Sequence, residues 1–144
     1  MSKKSLILII IQFACFGFFI FIGGMVSKNN WIAIQVIGFI ISVWGVIAMK
    51  IGNFNVQPEV KPSAKFITNG PYKFIRNPMY SGLILFFGAS IISNYSHLRL
   101  TIFVLLIYVF LEKIKLEEQF LFDRFGDDYL KYKKNSYRLI PFIY

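Results

Sequence analysis

Two short stretches of this sequence concentrate side chains able to do chemistry. The first runs Phe66-Ile67-Thr68-Asn69-Gly70-Pro71-Tyr72-Lys73-Phe74-Ile75-Arg76-Asn77-Pro78-Met79-Tyr80-Ser81-Gly82. Gly70-Pro71 is a turn, and Pro78 suits the first position of a helix, where its missing N–H would have had no partner. The free N–H groups of a helix opening there, with Arg76 and Asn77 beside them, make a site suited to a carboxylate or a phosphate. A plainer reading is a charged interfacial turn with Tyr72 and Tyr80 as aromatic anchors. Both stay open on spacing alone.

The second stretch, Glu112 to Phe125, is informative when wound at about 100° per residue. Glu117 then lies beside Lys113 and Arg124, as on an ordinary solvated ion-pair face. Glu118 falls instead among Leu111, Ile114, Leu121, Phe122 and Phe125. A carboxylate on such a stripe needs a partner, and burial would raise its pKa and suit it to act as a base. The alternative is an interfacial glutamate that reaches water or pairs with Lys115.

The elements that must position these residues are set by composition. Of 144 residues, 56% are apolar, 19% aromatic and only 16% charged, with a mean hydropathy of +0.59. A soluble fold of this size has too little polar surface to cover that much hydrocarbon, so the class is integral membrane protein. Leu6 to Val26 and Trp31 to Met49 carry no charge and match the roughly 20 residues a bilayer crossing needs. Ser27-Lys28-Asn29-Asn30 joins them as a short polar turn, which predicts an antiparallel hairpin. After Lys50, Gly and Pro break up an irregular connector. A second apolar pair follows, Tyr80 to Tyr95 and Leu98 to Leu111, and its last helix should continue through Glu112, because no Gly or Pro occurs between Arg99 and Phe125. Gly126 can end that helix, and Asp127 and Asp128 can begin a basic, aromatic helix lying on the membrane surface.

The expected architecture is an all-α integral membrane protein of about four transmembrane helices in two antiparallel hairpins, with a cytoplasmic connector and a C-terminal interfacial helix. It divides into an N-terminal hairpin, 1–49, and a core, 50–144, comprising connector 50–79, hairpin 80–111 and cytoplasmic segment 112–144. With four crossings, fourteen of the sixteen Lys and Arg residues fall on the side of the termini, leaving only Lys28 and Arg99 opposite. The positive-inside rule then puts the termini and the candidate site in the cytoplasm, at the inner membrane of a cell. The same bias accounts for the +9 net charge without a nucleic-acid partner. One cysteine, Cys15, excludes an intrachain disulfide, and one histidine, His97, excludes a histidine metal cluster, so no metal is expected. Nothing in the sequence sets an oligomeric state.

Gly70-Pro71-Tyr72, Arg76-Asn77-Pro78-x-Tyr80-x-Gly82, Glu117-Glu118 and Phe125-Gly126-x-x-Tyr129-x-x-Tyr132, closed by Pro141, occur in that order. Together they resemble the isoprenylcysteine carboxyl methyltransferase family, which has relatives among the phospholipid N-methyltransferases, and the resemblance covers about residues 54–144. It implies an integral membrane enzyme that moves a methyl group from S-adenosylmethionine to an acceptor delivered from the bilayer. It assigns Tyr72, Arg76, Asn77, Pro78 and Tyr80 to the cofactor pocket, joined by the acidic pair Glu117 and Glu118. Glu118 and Lys113 would be the catalytic pair, although an ideal helix sets them about 140° apart, so that pairing needs a bend or a bridging substrate. The sequence departs from the family at Asn77, where the pattern has histidine, and at Lys113, where it usually has arginine. Asn77 keeps a donor and an acceptor but carries no proton charge, and Lys113 offers a point charge in place of a bidentate fork. The expected acceptor is a lipophilic small molecule or lipidated substrate with a carboxylate or amine head, met among membrane lipids. The competing readings are a protein of the same fold with lost or altered chemistry, and a non-enzymatic small membrane protein.

Overall fold

A computed structural model describes residues 2–22, 24–53, 58 and 66–143 of the chain. Part of the glycine- and proline-broken connector, 54–57 and 59–65, therefore lies outside the described residues. Those described form five α-helices and no sheet: α1, Lys3–Phe21; α2, Trp31–Asn53; α3, Pro78–Ser93; α4, His97–Phe125; and α5, Asp127–Lys134. A single 3-10 turn, Gly70–Lys73, precedes α3.

Local chemistry accounts for the boundaries. Ser2 caps α1 by accepting a hydrogen bond from the Ser5 N–H at 3.0 Å, satisfying a donor the helix start leaves free. The polar turn before α2 is held by Gln35, whose Oε1 accepts from the Ser27 N–H at 2.7 Å while its Nε2 donates to the Met25 carbonyl at 2.6 Å. Pro78 opens α3 at its first turn, as the sequence indicates. With nothing to break it, α4 runs unbroken for 29 residues, about 43 Å at 1.5 Å per residue. It stops at Gly126, whose φ of 51° is one that side chains rarely adopt. In α5, Asp127 and Asp128 occupy the first turn and Lys131, Lys133 and Lys134 the last, each charge opposing the nearer end of the helix dipole.

Packing departs from the simplest expectation. The turn joins α1 to α2 as predicted, but each takes its main partner from the second pair: α2 lies along α3, and α1 along α4. Gly38 explains the first contact, since a Cβ there would meet the Gly82 carbonyl oxygen at 2.6 Å and the Phe86 nitrogen at 2.7 Å. Glycine at both positions brings the backbones close enough for the Ser42 hydroxyl to donate to the Met79 carbonyl at 3.1 Å, the small-residue packing that apolar helices favour. Gly82 of the sequence motif is thus a packing residue. Phe19, Phe87, Leu106, Phe110 and Ile114 form the core between α1, α3 and α4; Phe87 stacks on Phe16 at 5.4 Å and meets Phe19 at 4.8 Å.

Two helical stretches, Lys3–Phe21 and Trp31–Met49, are long and apolar enough to cross a membrane, and only 28% and 17% of them is buried within the protein. Their outward apolar faces, including Ile10, Phe13, Val36, Ile40 and Trp44, are exposed, the reverse of a soluble core helix. Such a surface is suited to lipid.

Candidate active site

At one end of the bundle, the start of α3, the second half of α4, the 3-10 turn and the C-terminal segment converge. The C-terminal segment returns through a parallel bridge between Ile75 and Tyr137. In that bridge the Arg76 N–H donates to the Tyr137 carbonyl at 2.7 Å and the Tyr137 N–H to the Phe74 carbonyl at 2.9 Å. The bridge aligns Arg76 with Arg138, and both reach Glu118. Arg76 Nε donates to Glu118 Oε1 at 3.0 Å, and Arg138 Nη2 to Glu118 Oε2 at 2.6 Å. Arg76 Nη1 also donates to the carbonyls of Lys133, at 3.1 Å, and Ser136.

The neighbouring motif residues tie the same segments together. Asn77 Nδ2 donates to the Arg138 carbonyl at 3.1 Å, so this amide performs a hydrogen-bonding role in the position where the family pattern has histidine. Ser81 Oγ donates to the Leu139 carbonyl at 2.6 Å, and Tyr132 Oη to the Tyr72 carbonyl at 2.6 Å. Buried Pro78 starts the helix that carries Tyr80 and Ser81.

Glu117, one residue from Glu118, turns to a different side of α4 and a different environment. Tyr80 Oη donates a hydrogen bond to Glu117 Oε1. Lys113, only 2% exposed, donates from Nζ to Gln12 Oε1 of α1 at 2.7 Å and lies 5.7 Å from the Tyr80 ring centroid. The solvated face expected for Glu117 is therefore corrected. By accessible area it is half-buried, but protein encloses its carboxyl, because α3 and the 3-10 turn cover this face of α4. Burial pushes its pKa up to about 7, with the Tyr80 hydrogen bond and the Lys113 charge pulling the other way. The raised pKa expected of Glu118 is corrected as well. Burial does act to raise it, but the hydrogen bonds from Arg138 and Arg76 more than offset that, and the carboxyl is held below its ordinary value. Burial lowers the pKa of Lys113, against the opposing charge of Glu117. The ion pair of Lys113 with Glu118 is not formed; the 140° separation keeps the two on different faces.

Every sequence-predicted site residue lies in this region, in two adjoining groups: Arg76, Asn77, Pro78, Tyr72 and Glu118 on one side, and Tyr80, Lys113 and Glu117 on the other. Three further residues stand in the site without having been assigned to it, although Tyr129 belongs to a sequence motif. Arg138 sits far along the chain with no local motif, and only the return of the C-terminal segment brings it to Glu118. Gln12 carried a signal, as the one side-chain amide in the first apolar run, and polar groups inside membrane helices usually have a partner. Tyr129 is 2% exposed, and its hydroxyl is buried with no hydrogen-bond partner among the described residues. Burial and then the nearby Glu118 charge push its pKa up, with Arg76 and Arg138 acting in opposition. Beside it, Phe66 stacks on Phe125 at 5.0 Å and meets Tyr132 edge-on at 5.3 Å.

An apolar cavity of about 360 Å³ adjoins the second group. Phe13 and Phe16 of α1, Val46 and Ile47 of α2, and Leu83 of α3 supply its walls, while Gln12, Tyr80 and Lys113 supply its polar end. Its lining is drawn from α1, α2, α3 and, through Lys113, α4.

The chain is thus all-helical among its described residues, with lipid-suited outer helices and a charge cluster where residues 72–77 and the C-terminal segment meet. Residues 28–128 match the phospholipid methyltransferase family, and the chain belongs to that family. Among its relatives, methanethiol S-methyltransferase 1 of Bradyrhizobium diazoefficiens is 37% identical over 117 residues, covering 81% of this chain and 40% of that protein. The methanethiol S-methyltransferase of Pseudomonas deceptionensis is 33% identical over 114 residues, 78% of this chain and 42% of that one. The protein-S-isoprenylcysteine O-methyltransferase of Xenopus laevis is 33% identical over 126 residues, 81% and 43% of the two chains. The chain spans about two fifths of the length of these three relatives.

Proposed function

We propose that this protein is an integral membrane methyltransferase that uses S-adenosylmethionine to methylate a lipophilic acceptor. In this reading α1, α2, α3 and the apolar first half of α4 are the four crossings. The termini and the charge cluster face the cytoplasm, which the fourteen-to-two division of basic residues supports. The protein lies in the inner membrane of a cell.

The observation that carries the reading is the Tyr129 hydroxyl, which lies buried beside Glu118, Arg76 and an aromatic wall and has no hydrogen-bond partner among the described residues. A buried phenol without a partner costs free energy that a ligand can return. The residues around it fit S-adenosylmethionine in kind: Arg76 and Arg138 for its carboxylate, Glu118 for its cationic groups, Phe66 and Tyr132 for its adenine, and Tyr72, Asn77 and Pro78 to frame the pocket. When bound, that cofactor supplies a methyl group on a sulfonium. Glu118 is then a binding and positioning carboxylate, since both its oxygens are occupied by guanidinium donors. Lys113 and Tyr80 face the acceptor, with Glu117 behind Tyr80, and Lys113 orients its polar head. Holding the two reactants in line is the main contribution such a site makes to rate.

The apolar cavity supports a lipophilic acceptor, because hydrocarbon gains by entering it while a hydrated molecule would lose water against an apolar wall. The acceptor head is a small polar group, a carboxylate or amine as the motifs suggest, or a thiol as the names of the methanethiol-methylating relatives suggest. Incubation with methyl-labelled cofactor and total membrane extract tests this. Label should appear in extractable lipid or lipidated material; label confined to the aqueous phase would overturn it.

A further inference from the structure

Glu117, Tyr80, Lys113 and Gln12 are a connected polar group to which the contacts proposed above for the cofactor give no part. Resting on the methyltransferase reading, we infer that Tyr80 and Glu117 form a proton exit from the cavity for an acceptor that carries a proton on its reactive atom, with Lys113, held by Gln12, as the positioning cation.

The direction of the hydrogen bonds argues for it. Tyr80 lines the cavity and spends its proton on Glu117, so its oxygen can offer only lone pairs to a molecule inside. A carboxylate acceptor would bring lone pairs against lone pairs, whereas a thiol would donate its S–H. An ammonium acceptor would be repelled by Lys113, which lines the same cavity, while the negative charge that develops on sulfur as its proton leaves would be stabilised by it. A hydroxyl is too weak an acid for a carboxylate to deprotonate usefully, whereas a thiol is a much stronger acid, at about 8.5 in cysteine and higher in a simple alkanethiol, and loses its proton to a nearby base as its sulfur attacks. The groups that set the behaviour of Glu117 come from three elements: Tyr72 of the 3-10 turn, Tyr80 of α3, and Lys113 and Glu118 of α4.

In the step itself, the S–H proton moves to Tyr80 Oη as the Tyr80 proton moves to Glu117 Oε1. The sulfur electron pair forms the new carbon–sulfur bond while the carbon–sulfonium bond of the methyl donor breaks, leaving two neutral thioethers. Glu117 returns its proton to water. Tyr80 thereby serves as the contact to the acceptor and Glu117 as the base acting through it.

Isotope-edited infrared titration of the whole protein, with its glutamates 13C-labelled at the carboxyl and no cofactor added, reads the relay without turnover. A protonated carboxyl band should disappear with a midpoint at about pH 7, be absent in Glu117→Gln and shift in Tyr80→Phe. Alongside it, methyl transfer to 1-octanethiol should rise through the same pH range. In Glu117→Gln it should lose that pH dependence and fall by roughly 10²-fold, as loss of a general base predicts, while transfer to octanoate stays lower than to the thiol. A glutamate band titrating only in the ordinary range, or an unchanged octanethiol pH profile in Glu117→Gln, would overturn the relay. Absence of methyl transfer to any acceptor would count against the methyltransferase reading instead, and the infrared midpoint would still decide the relay.

Discussion

Glu117 and Glu118 are neighbours in sequence, and about 100° of helical rotation separates their chemistry. Two guanidinium groups hold Glu118 ionised, while burial with a single phenol donor and a nearby ammonium leaves Glu117 near neutrality. Removing Glu118 would take the one carboxylate they share from two half-buried arginines. Glu118→Ala should therefore destabilise the protein by roughly 3–5 kcal/mol, as for breaking one partner of a buried ion pair, seen as a large fall in the melting temperature in detergent. Glu117 acts with the opposite sign. Its folded pKa, about 7, lies above its ordinary 4.5, so its stabilising contribution is complete below pH 4.5 and is lost as pH rises toward 7. Glu117→Gln, which mimics the protonated form, should flatten that decline in a series of melts between pH 4.5 and 8; an unchanged slope would contradict the assignment. Winding the sequence as a helix put Glu118 correctly on a buried stripe, but gave no warning that α3 covers the face bearing Glu117. The wheel gives angles and is blind to what packs against them. Arg138 was illegible for a related reason, since its approach to Glu118 depends on a bridge between Ile75 and Tyr137, 62 positions apart in number.

At the scale of elements, most boundaries are local and were legible. Pro78 begins α3, Gly126 ends α4, and the lack of any breaker after Arg99 makes α4 one long helix. Pairing between helices was not legible in that way, because apolar faces of similar composition do not name their partners. Glycine spacing does so in retrospect: Gly38 and Gly82 meet, and side chains there would push the backbones apart. Gly38→Leu should separate α2 from α3 and cost roughly 1–3 kcal/mol, in the range of overpacked cores. Since α3 also carries Tyr80, the same substitution should disturb the Tyr80–Glu117 contact and lower the infrared midpoint assigned to Glu117. An exposed position on the same helix, Ile40→Leu, provides the control and should change neither reading.

The whole molecule separates two duties by position. Its outer helices present exposed apolar side chains suited to lipid, while residues 66–77 and the C-terminal segment close over one end with ion pairs and aromatic rings. Cysteine labelling at Ser27 and at Asn135, in separate variants, should report opposite sides of the membrane if four crossings are correct; the same side for both would remove the topology. The charge cluster has a more direct test, because the account gives Arg76, Glu118 and Tyr129 a shared ligand. Calorimetric titration of the detergent-purified protein with S-adenosylhomocysteine should show saturable binding, weakened at least ~10-fold in Tyr129→Phe or Arg76→Ala, the effect of losing a hydrogen bond or charge-assisted contact of roughly 1.5–3 kcal/mol. Absence of binding to the wild-type protein, with its melting transition intact, would contradict the account at its centre.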